Sequence, residues 1–310
     1  MFFTENPNRR KVAVLTAALF AWLSVGPSAG AAYARTHTKA KGHSRALTAF
    51  ERSHIRGAIP THALSLDPAS GSTYSWEGSV GGTNTGNGNK LTTLPIVGWT
   101  ARGGLPVNFT IYHNSQGSHD AELGKHWTHS FDIYLMVDSG TGDVAMHWGN
   151  DLSYVFTKNI DGSFSPPTGI YDSLAYDSGS STYTLTTKSQ VKYAFQSVSG
   201  EWMCKSIKDR NNNTLTINHN STAQVTSVVD ANSRTLSFSY DGNGRITSVT
   251  DPASRSFSFA YTSGKLASVT FPTASSQTPV IQYGYDSGYR ITSVTDPRGK
   301  VWSYSYNSDG

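Results

Sequence analysis

From residue 91 to the end, apolar and polar residues alternate with a period of two, the spacing that places successive side chains on opposite faces of a β-strand. Residues 106–112 interleave Val107, Phe109 and Ile111 with polar neighbours, and 131–137 forms a second such run. Further strands are expected at 144–148, 152–156, 183–187 and 191–195, separated by turn chemistry such as Asp161-Gly162 and Ser199-Gly200. Pro166-Pro167 falls in a connection, where a missing backbone donor does no harm. No amphipathic helical pattern longer than a few turns occurs beyond the N-terminal 34 residues, so the reading is all-β.

The alternation becomes a repeat between 204 and 310. One unit runs Ile246-Thr247-Ser248-Val249-Thr250-Asp251-Pro252, then Phe257, Phe259 and Tyr261, then the turn Ser263-Gly264-Lys265. Five residues before the Asp position lie Cys204, Val225, Ile246, Leu266 and Ile291, at spacings of 21, 21, 20 and 25 residues. Two before it lie Ile207, Val228, Val249, Val269 and Val294. The second strand of each unit carries a triplet: Leu215, Ile217, His219; Leu236, Phe238, Tyr240; Phe257, Phe259, Tyr261; Ile281, Tyr283, Tyr285; Trp302, Tyr304, Tyr306. Each triplet shares one face, while Ser237, Ser239, Ser303 and Ser305 point the other way. Stacked hairpins are expected to align the aromatics into cross-strand ladders, since no single hairpin could bury its stripe alone.

Ahead of the strands, Arg9, Arg10 and Lys11 precede an apolar run over residues 12–25 and small residues ending at Ala34. That is a signal-peptide layout over 1–34, with a run too short to span a bilayer; no stable membrane span is expected after its removal, and the protein is expected to be secreted or at the cell surface. Residues 35–90 read as a disordered stretch, basic from 35 to 56 and then Gly/Asn-rich, as in Gly81-Gly82-Thr83-Asn84. The following divisions are a β-rich domain over 91–203 and about five repeats over 204–310. The whole chain carries a formal +4, of which +2 belongs to the leader, and the remainder makes no case for nucleic acid. A single cysteine, Cys204, forms no intrachain disulfide, so packing must hold the fold.

Residues 244–252 and 290–299, with Tyr-Asp recurring at 240–241 and 285–286, resemble the YD repeats of the Rhs family. Upstream, Arg102-Gly103-Gly104-Leu105-Pro106, Tyr112-His113-Asn114-Ser115 and Leu123-Gly124-Lys125-His126-Trp127 resemble the segment preceding such repeats, as do 170–174 and 182–188. The resemblance implies consecutive hairpins forming a curved or spiral sheet, a partial β-shell that in relatives encloses a C-terminal toxin. It also makes the C-terminal remainder of the same polypeptide the principal partner, because the repeats stop at Asp309-Gly310 without a capping unit.

Five features invite a sharper chemical reading. His126-Trp127-Thr128-His129, near His113 and His119, has a spacing that sends the two rings to opposite faces of a strand and lacks a zinc pattern. Asp296-Pro297-Arg298-Gly299 looks like a self-cleavage motif of Rhs toxins, yet sits in register with Asp251-Pro252 as an ordinary turn. Cys204 occupies an apolar repeat position with no base placed beside it, and the Asn-X-Ser/Thr triplets at 108, 212 and 220 carry little meaning in a bacterial-type protein. Asp209, Asp230, Asp251 and Asp296 fall in turns at the repeat spacing, which explains them without a glycosidase carboxylate pair.

The expectation is therefore a non-enzymatic shell segment with no catalytic, cofactor-binding or metal residues, which encapsulates or presents a C-terminal cargo. Tyr240, Asp251, Tyr261, Tyr285, Asp296 and Tyr306 are its structural repeat positions. The alternative is a cell-surface module holding carbohydrate or a neighbouring cell through its aromatic residues.

Overall fold

The computed structural model describes residues 79–80, 83–84, 89–100, 105–117 and 119–307. The leader, the basic stretch, Arg102-Gly103-Gly104 and Asp309-Gly310 lie outside the described residues. Every regular element described is a strand. A two-residue hairpin, β1 (Ser79–Val80) with β2 (Thr83–Asn84), stands inside the segment read as linker.

The first layer comprises β3 (Leu91–Thr100), β4 (Pro106–Asn114), β5 (Asp120–Ala121), β6 (Gly124–Lys125) and β7 (Trp127–His129). β3, β4 and β7 form an antiparallel sheet in that order, and β5 pairs β6. β3 accommodates Pro95 because the register with β4 slips between Pro95 and Val97, at a bulge where no donor is needed.

The large sheet begins with β8 (Tyr134–Val137), β9 (Val144–His147), β10 (Ser153–Lys158), β11 (Phe164–Ser165), β12 (Ser173–Asp177), β13 (Thr182–Thr186), β14 (Lys192–Val198) and β15 (Glu201–Lys208). It continues through the repeat hairpins: β16 (Thr214–His219), β17 (Val225–Val229), β18 (Thr235–Tyr240), β19 (Ile246–Thr250), β20 (Ser256–Thr262), β21 (Lys265–Thr270), β22 (Val280–Tyr285), β23 (Ile291–Thr295) and β24 (Val301–Ser303). From β12 to β24 each strand pairs antiparallel with the next. β15 is a branch point: β14 runs along one edge, while the other is shared between β8, opposite Trp202 and Met203, and β16, opposite Ser206 to Lys208. Among the described residues no strand register joins β24 to β8, and the sheet is not closed into a barrel.

Two devices recur through the repeats, the first missing from the fourth unit, where Phe271 stands at the Asp position and the loop is longer. At the first turn an Asp side chain accepts the amides two and four residues on, as Asp251 does from Ala253 and Arg255, while the residue three on takes a left-handed conformation (Ser254, φ 61°). This is the three-residue hairpin loop in which one residue adopts the αL region. The second device is a bulge before the tyrosine of the returning strand, between Ser239 and Tyr240, between Ala260 and Tyr261, and between Gly284 and Tyr285. The bulge turns that tyrosine back toward the residue that opens its own unit.

The aromatic triplets do not stack strand against strand as the period alone implies. Phe238 faces Val249, Phe257 faces the same Val249, and Phe259 faces Val269. Aromatic strands alternate with β-branched ones, and the rings reach across to the first layer instead: Phe109 meets Phe238 at 5.2 Å edge-on, and Trp127 meets Tyr283 at 5.0 Å. Phe109, Ile111, Leu123 and Trp127 are fully buried between the layers together with Ile217, Val225, Ile246 and Leu266. The outer face carries the exposed Ser237, Ser239, Ser256 and Ser258. Burying the apolar face of the repeat strands that lie against the first layer removes the largest block of apolar surface from water and is the dominant stabilising term.

Candidate functional site

The seam between the first layer and the repeats concentrates the polar groups that are buried without belonging to a ladder. At its centre is Glu122, in the short link between β5 and β6 and only 1% exposed. One carboxylate oxygen accepts Nε2–H of His129. The other lies 3.3 Å from the Val225 amide and 3.0 Å from the Tyr240 hydroxyl. The Glu122 main-chain carbonyl accepts the Ile246 amide at 2.8 Å and lies 3.3 Å from the Tyr261 hydroxyl. Val225 and Ile246 are the bulge-adjacent positions of successive units, and each turns its amide to Glu122 of the inserted layer. Cys204 uses its own amide the same way, bonding the Ile133 carbonyl at 3.0 Å.

His129 is fixed by what surrounds it: Phe131 donates its amide to Nδ1 at 3.3 Å, which leaves Nε2 as the protonated nitrogen facing Glu122. A second buried pair, His119 with Asp132 at 2.9 Å, braces the same stretch. At the far end of the seam Trp99 donates to Asp230 at 2.9 Å and Arg234 reaches the Thr100 carbonyl at 3.0 Å. Trp127 donates to the Tyr285 hydroxyl at 2.9 Å.

The repeat positions chosen from the sequence have specific contacts. Tyr240, Tyr261, Tyr285 and Tyr306 each donate a hydroxyl to the carbonyl of the residue that opens their own unit, at Val225, Ile246, Leu266 and Ile291, over 2.6 to 2.8 Å. Burial raises the hydroxyl pKa of Tyr261 and Tyr285, and that of Tyr306 to about 12. Arg245 lies over the Tyr261 ring and Arg290 over Tyr306, so the residue closing one turn covers the next unit's tyrosine. Asp251 and Asp296 cap their turns, Asp251 through Ala253, Arg255 and the Arg255 side chain, and Asp296 through Arg298 and Lys300. Burial opposes the ionised form of Asp251, yet the bonds from Arg255 and Ala253 outweigh it and hold the carboxyl below its ordinary range. Asp296-Pro297-Arg298-Gly299 has the same geometry, with Gly299 at φ 79°.

Cys204 is fully buried, and burial drives its thiol well above the ordinary range, away from the nucleophilic thiolate. His126 and His129 diverge, one to Tyr289 and one to Glu122. Among the described residues no group of three or more His, Cys, Asp or Glu side chains is placed to hold a metal ion. Also among them, no helix is long and apolar enough to cross a membrane. Glu122 was not legible as a site in the sequence: it has no repeat spacing, and its partners on the repeats, Val225 and Tyr240, lie 103 and 118 residues away.

What these elements define is a protein whose organised chemistry is internal, a hairpin-repeat sheet with an inserted layer tied to its apolar face. Comparison with known families agrees. The RHS Repeat model matches residues 221–256, and a domain of unknown function, DUF6531, matches residues 83–156, which contains the inserted layer. The chain carries an RHS repeat at residues 221–256, and its consecutive hairpins are similar to those of Rhs/YD-repeat proteins. No curated protein matches it. Among solved structures, the N-terminal domain of effector protein SpvB from Salmonella typhimurium strain LT2 is similar at 10% identity and a TM-score of 0.41, covering 69% of this chain and 99% of that one. TcdB2-TccC3-Cdc42 is similar at 13% identity and a TM-score of 0.30; the match covers 70% of this chain and only 14% of that one.

Proposed function

We propose that this protein is a non-enzymatic segment of an exported shell that encloses or presents a cargo carried C-terminal to the repeats. The observation that supports the reading is the one-sidedness of the repeat sheet. Its apolar face is covered by the inserted layer of the same chain up to the last unit, where Trp302 of β24 is exposed, and its outer face is lined with small hydroxyl side chains. A sheet filled in this way has no room for cargo against these hairpins, so the segment suits the sealed end of a container whose free volume lies against later units.

The test is to read the coding sequence past Gly310, express the whole product with a tag on its last segment, and follow that segment under limited proteolysis. Further in-frame repeats and a protease-resistant terminal segment are expected. A stop codon directly after Gly310, or a terminal segment cleaved as fast as the free peptide, overturns the reading. Export is tested separately by fractionating cells that express the chain with and without residues 1–34.

A second reading, attachment to carbohydrate at a cell surface, draws on the exposed rings of Tyr171 and Tyr176, which are 72% and 44% accessible. Tyr176 packs beside Tyr183 and Trp202, which suits a stacking surface for a sugar ring. A glycan array with wild type and the Tyr171→Ala/Tyr176→Ala variant decides it: binding lost in the variant supports attachment, and no binding by the wild type removes it.

A further inference from the structure

We propose that His113 and His126 form a proton-released latch that holds the inserted layer to the β22–β23 turn, independently of the Glu122 ties to β17–β20.

The latch rests on an unusual contact. The turn from Asp286 to Arg290 follows the pattern of the Asp241–Arg245 turn, in which Gly244 supplies the left-handed residue at φ 77°. In the later turn that position is held by Tyr289, at φ 66°. A bulky residue in this region is a genuine outlier, retained only when its surroundings fix it. The residue that meets it, His126, is itself left-handed at φ 65°, and the two rings lie 5.8 Å apart. His113, fully buried on β4, places Nε2 at 2.9 Å from the Tyr289 carbonyl. A carbonyl only accepts, so Nε2 carries the proton. The two imidazoles are 5.8 Å from each other, and His113 is walled by Trp127 at 5.1 Å and Tyr285 at 6.0 Å.

The charged groups around this contact oppose a further cation. Lys125 and Lys265 place ammonium groups 4.4 and 4.8 Å from the Tyr289 ring centre, and Lys265 also donates to the Asp286 carbonyl. Asp120 and Asp286 favour protonation, but the Asp286 carboxylate is engaged by Arg290 at 2.7 Å. His119, which also faces His126, is held by Asp132. Burial, helped at His113 by the His126 imidazole and at His126 by Lys125 and His119, lowers His113 to about 3 and His126 to about 4. Both rings are therefore neutral when docked and charged when released in mild acid. Because the docked values lie below the ordinary 6.5, docking is fully favoured above that pH and weakens as pH falls toward 4. At pH 5 the linkage for His126 alone raises the released population roughly 30-fold.

The experiment is hydrogen exchange on the full chain at pH 7.5 and pH 5, with rates corrected for intrinsic pH dependence. Protection over residues 280–295 is expected to fall at least tenfold relative to residues 235–250, which the Glu122 ties hold. The variant His113→Gln/His126→Asn keeps a residue tolerant of left-handed backbone at 126 and removes both titrations; its protection ratio is expected to be unchanged by acid. An unchanged wild-type ratio, or an equal acid response in the variant, overturns the latch. Should the variant misfold at pH 7.5, the imidazole resonances of the wild-type chain decide: two rings resisting protonation to pH 5 support the latch, and all rings titrating near 6.5 overturn it.

Discussion

Replacing Glu122 by alanine tests how the inserted layer is held. The substitution removes both carboxylate oxygens but leaves the main-chain carbonyl, so the bonds from Ile246 and Tyr261 persist. Two donors are stranded in a site almost without solvent, Nε2–H of His129 and the Val225 amide. Tyr240 is not stranded, because its hydroxyl still reaches the Val225 carbonyl at 2.6 Å. Leaving a buried donor unsatisfied costs about 1–3 kcal/mol, so the pair costs about 4 kcal/mol in the middle of the range. His129 cannot escape by moving its proton to Nδ1, which already accepts from Phe131. For a fold of this size 1 kcal/mol corresponds to roughly 2–4 °C, giving an expected fall in Tm of about 8–16 °C. Differential scanning calorimetry of wild type and Glu122→Ala measures it, and hydrogen exchange locates it: new exchange should appear at Val225 and nearby amides of β17 and β18. A fall under about 3 °C, or new exchange confined to β22–β24, refutes the assignment of Glu122 as the central tie.

Tyr261→Phe removes the hydroxyl bonded to Ile246 while keeping the ring, and is expected to cost about 0.5–1.5 kcal/mol in urea unfolding. Gly149→Ala drives a Cβ to 2.3 Å from the His129 carbonyl and 2.7 Å from Ser130 Cα, backbone atoms that cannot swing aside; a loss of about 1–3 kcal/mol is expected by the same method. In Asp230, burial opposes ionisation, but Trp99 and Arg234 overcome it and hold the carboxyl below 3.8. Its contribution is thus complete above that value and lost as pH falls through the lower folded value, and Asp230→Asn should flatten that part of the stability curve in acid titration monitored by circular dichroism. Cys204 should resist a thiol reagent in the native chain and react stoichiometrically in denaturant; labelling at the unfolded rate without denaturant would contradict its burial.

The sequence by itself determined the hairpin repeat. A period of two assigns each residue to a face, and an Asp placed five residues beyond an apolar position meets its own turn amides, contacts made within four residues of chain. Pro166-Pro167 and Ser199-Gly200 likewise announce connections through local backbone preferences alone. Only the tertiary structure decided where the apolar face goes. Period two marks Phe238 and Tyr283 as sharing that face, yet does not say that Phe109 and Trp127 cover it, because those contacts join residues more than a hundred positions apart. The bulges belong to the same class: a one-residue slip before Tyr240 leaves no mark in composition, but it redirects the hydroxyl to the carbonyl that opens its unit. Glu122, His129 and the Tyr289 contact depend on two layers meeting in one arrangement, and burial without water is what gives each of those polar groups a single partner set.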